Sequence, residues 1–72
     1  MKLKYAVALL KGGEEKILGI FNTKDEADDF GKSNTLPGEA GLQYCFSALF
    51  KGDVPEGNFK IYDYYNRPLC YA

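Results

Sequence analysis

Thr23 and Glu26 stand three residues apart, directly after the apolar run Ile17-Leu18-Gly19-Ile20-Phe21. That spacing is a capping box: the threonine oxygen accepts the N–H three positions on, and the glutamate reaches back to the cap's own N–H. A β-branched and aromatic run that ends in such a box is a strand handing over to a helix. Asp25, Glu26, Asp28 and Asp29 crowd the first two turns, where the helix dipole favours negative charge. Ala27 and Phe30 lie three apart on one face. Gly31 weakens the continuation, and Asn34 with Pro37-Gly38 ends it. The spacing predicts a helix over 24–33 whose narrow apolar stripe covers only part of a sheet.

The rest of the chain reads as strands around that junction. Residues 2–10 alternate, with Leu3, Tyr5, Val7 and Leu9 on one face and Lys2, Lys4, Ala6, Ala8 and Leu10 on the other. Gly12-Gly13 supplies the positive φ of a tight hairpin turn, and residues 16–22 form the second strand. After a loop over 34–41, residues 42–50 place Leu42, Tyr44, Phe46, Ala48 and Phe50 opposite Gln43, Cys45, Ser47 and Leu49. A longer loop with Gly52, Pro55 and Gly57 is expected over 51–58. The fourth strand, 59–65, then carries Phe59, Ile61, Asp63 and Tyr65 against Lys60, Tyr62 and Tyr64. The expectation is one α+β domain, β-β-α-β-β: a four-stranded antiparallel sheet in the order 2-1-3-4, with one short helix on one face.

At 72 residues the chain is near the lower limit for a self-sufficient core, and its 46% hydrophobic share is needed to build one. Several chemistries are disfavoured. There is no histidine, which removes the commonest general base and metal ligand. Neither a Cys-His nor a Ser-His nucleophile pair can be built within the chain. Cys45 reads as a core thiol in an aromatic strand and Cys70 as a reduced thiol in the tail; two cysteines allow one bridge at most. The acidic run 25–29 reads as helix capping and solvated surface rather than a cation site. Gly12-Gly13 lacks the Lys-Ser/Thr of a phosphate loop, and Asp53 and Glu56 show no sign of a paired acid and base. No catalysis, cofactor or metal is expected. No apolar run approaches membrane-spanning length and no signal peptide is read, so the expected location is cytoplasmic.

The pattern Leu18-Gly19-x-Phe21-x-Thr23-x-x-Glu26-Ala27 resembles the strand-to-helix junction of apetala-type DNA-binding domains and the related integrase arm-binding domains. It is also similar to the junction of sporulation-related (SPOR) peptidoglycan-binding domains. The match covers about ten residues of generic physics: a close-packed glycine, a core phenylalanine, a threonine cap and a small helical alanine. The apetala-type resemblance implies DNA contacts made by arginines and tryptophans on a sheet that has three strands before its helix. This chain has two strands there, no tryptophan, and Arg67 as its sole arginine.

Both sheet faces carry large apolar residues, yet one short helix can cover only one of them. An open face of an antiparallel sheet is normally polar, so Tyr62, Tyr64, Leu10, Leu18 and Leu49, or the opposite set if the two faces are reversed, read as a patch wanting a cover. The function expected is a non-catalytic protein-interaction module, a homodimer or the partner of another protein. Its contact surface would be Tyr62, Tyr64, Tyr65, Leu69 and Tyr71. The alternative is a sheet-face nucleic-acid binder in which tyrosines stack bases while Lys2, Lys4, Lys16, Lys60 and Arg67 hold phosphates. The net charge of −1 weighs against it.

Overall fold

The computed structural model describes residues 2–66. Four strands, β1 (Lys2–Lys11), β2 (Glu14–Phe21), β3 (Leu42–Lys51) and β4 (Val54–Tyr64), form one sheet in the order β2-β1-β3-β4. All neighbouring pairs are antiparallel. One α-helix among the described residues, α1 (Lys24–Ser33), packs on β1, β2 and β3. This is the α+β architecture and strand order that the sequence implies. A 3-10 turn over Gly38–Ala40 lies within the predicted loop.

The helix starts where the capping pattern puts it. The Glu26 N–H donates to Thr23 Oγ1 at 3.2 Å, and Thr23 is extended at φ −128° and ψ 155°. The glutamate does not reach back to the cap's N–H; its carboxylate accepts from the Thr23 hydroxyl at 3.0 Å instead. At the other end, the Asn34 N–H closes on the Phe30 carbonyl at 3.0 Å.

Both hairpin turns are two residues long. Gly12 and Gly13 both have positive φ (61° and 82°), as the primed turn of a twisted hairpin requires. The β3–β4 connection departs from the sequence reading: Lys51 pairs with Val54, so the loop is Gly52-Asp53 alone and β4 starts five residues earlier than predicted. Gly52 at φ 62° makes the tight turn. Pro55 is tolerated because β4 is an edge strand, where a missing N–H costs no ladder bond.

Three register shifts re-phase the edge strands: one residue is inserted in β2 and one in β4, and a further shift in β4 sets Ser47 against Lys60 but Leu49 against Glu56. In β2, Val7 faces Gly19 and Ala8 faces Ile17, which leaves Leu18 as the extra residue. In β4, Cys45 faces Asp63 and Phe46 faces Ile61, which leaves Tyr62 extra. One inserted residue shifts side chains across the sheet. The predicted alternation of the fourth strand is therefore corrected. Tyr62 lies on the helix side, where its ring meets Tyr5 at 5.7 Å, and Tyr64 lies on the opposite side, 6.1 Å from Tyr44.

Each sheet face has its own core. Under the helix, Val7, Ala27 and Cys45 are fully buried, with Tyr5, Leu18, Phe21, Phe30 and Tyr65 packed around them. Gly31 is buried because the Tyr65 ring lies where a Cβ would stand. On the face away from the helix, Ala6, Ala8, Ala48, Tyr44, Phe46 and Phe50 form a second buried cluster flanked by Ile17, Ile20 and Leu42. No helix covers that cluster. Small alanines form its floor, the rings of Tyr44, Phe50 and Phe59 surround Phe46, and Asp53 at the hairpin tip borders a concavity of about 380 Å³ with Ile17–Ile20 of β2. The hairpin thus leans over the face and the sheet supplies its own cover.

Gln43 ties the loop to the sheet. Its side chain is fully buried; the amide donates to the Asn34 carbonyl at 3.1 Å and its oxygen accepts the Leu36 N–H at 2.7 Å. Asn66 completes the clamp, accepting the Gln43 N–H at 2.7 Å and donating to the Leu36 carbonyl at 2.6 Å. Gln43→Leu keeps the volume and strands a loop N–H that Gln43 had satisfied. The expected cost is about 1–3 kcal/mol, read as a fall of at least about 4 °C in melting temperature by circular dichroism. An unchanged melt would show the clamp to be dispensable.

Candidate functional site

The exposed large hydrophobic side chains among the described residues are Leu3 and Leu10 on β1 and Val54, Phe59, Ile61 and Tyr64 on β4. Phe59 is 59% exposed, Ile61 49% and Tyr64 39%, all on the face away from the helix. The bulge at Tyr62 puts them in one row. Ile61 and Tyr64 face Phe46 and Tyr44, two positions apart on β3, and the Phe59 ring lies 5.4 Å from that of Phe46. Within it, Lys60 and Asp63 turn to the other side of the sheet: the Lys60 ammonium lies 5.1 Å from the Tyr62 ring centre, and Asp63 pairs with Cys45 of the helix-side core. The row is apolar apart from the tyrosine hydroxyl.

The sequence-derived contact surface is divided by this geometry. Tyr64 belongs to the row. Tyr62 is on the helix side, donor-acceptor distance 3.4 Å to the Ser47 hydroxyl, with Lys24 5.6 Å and Lys60 5.1 Å from its ring centre. Tyr65 is packed under the helix, where its hydroxyl donates to Asp28 at 3.1 Å. Leu69 and Tyr71 lie outside the described residues, as do Arg67 and Cys70. Leu10 is on the open side with Tyr44 and Leu42, whereas Leu18 is in the helix-side core. Phe59 and Ile61 were absent from the expected surface, strict alternation having set them on the face opposite Tyr62 and Tyr64.

The basic residues fall into separate groups rather than one stripe. Lys2, Lys4 and Lys51 surround Phe50 in a shallow recess of about 340 Å³, with Gly52 at its edge. Lys24 and Lys60 gather at Tyr62 on the other face. Lys16 faces Leu9, toward the β1–β2 hairpin and away from both groups.

The polar interior holds its groups in their neutral forms. Burial pushes the Cys45 thiol up, so it is a poor thiolate where it sits between Val7 and Ala27. Burial also raises Tyr65, reinforced by its contacts with Cys45 and Asp28. It raises Tyr44 too, whose hydroxyl donates to Glu15. Asp28 is held low, first by its 2.9 Å bond to Lys32 and then by Tyr65. Among the described residues no cluster of three or more metal-binding side chains occurs. No described helix is long and apolar enough to cross a membrane.

No family model, curated protein or solved structure matches the chain.

The pKa directions fix how stability depends on pH. The neutral thiol and phenols are favoured by folding, so their contribution is full below their unfolded values, near 8.5 and 10, and is lost as pH rises past them. Asp28 contributes above the ordinary carboxylate value and loses that contribution as pH falls through its lowered one. Melting temperature is expected to be flat between about pH 5 and 8 and to fall on both sides. Tyr65→Phe should make the alkaline fall shallower. An alkaline limb unchanged in slope would mean Tyr65 titrates alike in both states.

Proposed function

We propose that this chain is a small, non-catalytic protein-interaction module that associates with a second copy of itself. The contact is the apolar row Phe59, Ile61 and Tyr64. The observation that carries the proposal is the exposure of three large side chains in one line on an edge strand, with no charge among them. Natural edge strands are usually guarded by charges pointing into such a surface; here the charges of β4 point to the other side. Contiguous apolar surface of this kind marks association more often than accident.

The row leaves on the order of 300 Å² open per copy, given side chains of roughly 150–250 Å². A standard interface needs about 800 Å² from each partner, so the self-contact is a modest one that forms and releases with concentration. Cys45, buried and neutral, takes no part. The nucleic-acid alternative has less behind it. It would need a basic stripe beside the aromatic row, and the lysines gather instead at Phe50 on one face and at Tyr62 on the other.

Light scattering with reductant present tests the proposal. The mass should climb from 8.1 kDa toward twice that value as concentration rises. Phe59→Asp, which places a carboxylate in the row, should hold the protein at the monomer mass at least tenfold further up the concentration scale, with its circular dichroism unchanged. A wild-type chain that stays monomeric at every concentration would refute the proposal.

A further inference from the structure

We propose that the lysine-rimmed recess over Phe50 binds a small polyvalent phosphate, a pyrophosphate group being the chemistry that fits it. The site lies within one copy of the chain and does not depend on the self-association proposed above.

Three ammonium side chains line this recess and no carboxylate does. Lys2 stands opposite Phe50 and Lys4 opposite Ala48, so both rise from the sheet face away from the helix, two residues apart on one strand. Lys51 follows Phe50 on the neighbouring strand and, with Gly52, completes a space of about 340 Å³. Phe50 is 2% exposed and forms the floor. The acidic residues next along the chain are turned elsewhere. Asp53 borders the separate concavity beside Ile17–Ile20, and Glu56 faces Leu49, on the helix side of the sheet. The one ion pair among the described residues, Lys32–Asp28, belongs to the helix.

Covering Phe50 accounts for the lysine stems. A lysine lays its methylenes on apolar surface and keeps its charge in water. It does not account for three like charges around one opening, where each opposes the others. Packing on the floor also restrains the stems, so the charges are gathered before a ligand arrives and less ordering is left to the binding step. A carboxylate answers one ammonium. Two linked phosphates carry several charges on adjoining oxygens and answer all three, and lysine binds phosphate as a point charge without needing a planar fork. A base has no place here, because the buried Phe50 ring offers no face on which to stack one. The recess suits the phosphate group alone.

Titration of the wild-type chain with inorganic pyrophosphate, in phosphate-free buffer at low salt and followed by amide chemical shifts, tests the site. Saturable shifts are expected, centred on Lys2, Lys4, Lys51 and Gly52. Lys4→Gln and Lys51→Gln should each weaken binding about fivefold, the loss of one exposed charge contact. Lys51 is fully exposed, so its variant keeps the test alive if the change at half-buried Lys4 disturbs the fold. Lys16→Gln removes the same charge beside the β1–β2 hairpin and should leave the affinity as it is. Shifts that never saturate, or a loss with Lys16→Gln equal to that with Lys51→Gln, would overturn the site in favour of diffuse charge attraction. Saturation of the same amides by a single-stranded oligonucleotide, with none by pyrophosphate, would overturn it in favour of a nucleic-acid backbone.

Discussion

Strand β3 is buried on both faces, and among the described residues there is one α-helix to cover it. From Gln43 to Phe50 every residue but Leu49 is shielded from solvent. Its odd positions build the helix-side core with Val7 and Ala27; its even positions build the other with Ala6 and Ala8. A central strand hydrogen-bonded on both sides and apolar on both faces is the natural spine of so small a domain. The rest of the chain is arranged to cover it. The helix does so on one side. On the other, the sheet covers itself, because alanines on the floor let aromatic rings and the β3–β4 hairpin close over the middle.

That solution leaves a remainder at the edge. Self-cover protects the centre of the open face, but at β4 the apolar side chains extend past the last strand that could shield them. The bulge at Tyr62 decides what that edge looks like. It sends Tyr62 and Asp63 to the helix side, where two lysines and Ser47 meet the phenol, and leaves an apolar row on the other side. A structural irregularity of one residue thus separates the polar chemistry of β4 from its apolar surface.

Much of this was legible in the chain. The capping box at Thr23 located the helix to the residue, Gly12-Gly13 located the first turn, and clean alternation in β1 and β3 assigned their faces correctly. The failures share a physical cause. Period-two reasoning assumes that each residue crosses the sheet, and a bulge breaks that rule without requiring any particular side chain. Leu18 and Tyr62 look like ordinary strand residues, so the face of everything beyond them was assigned by a parity that no longer held. The clamp of Gln43 and Asn66 was hidden for a different reason: its partners are backbone groups of 34–37, and only the tertiary path of the loop brings them within reach. A buried glutamine in an otherwise apolar strand was the available signal, since such a side chain needs its amide satisfied.

The dependence of the whole on β3 is best tested by amide hydrogen exchange resolved residue by residue. The amides of Tyr44 to Phe50 that bond to β1 and β4 should exchange only through global unfolding, with opening free energies equal to the stability from denaturant melts. Those of β2 and β4 should open at lower cost. Exchange from β3 as fast as from the edge strands would show that the doubly buried strand is not the spine, and that the two cores do not depend on it together.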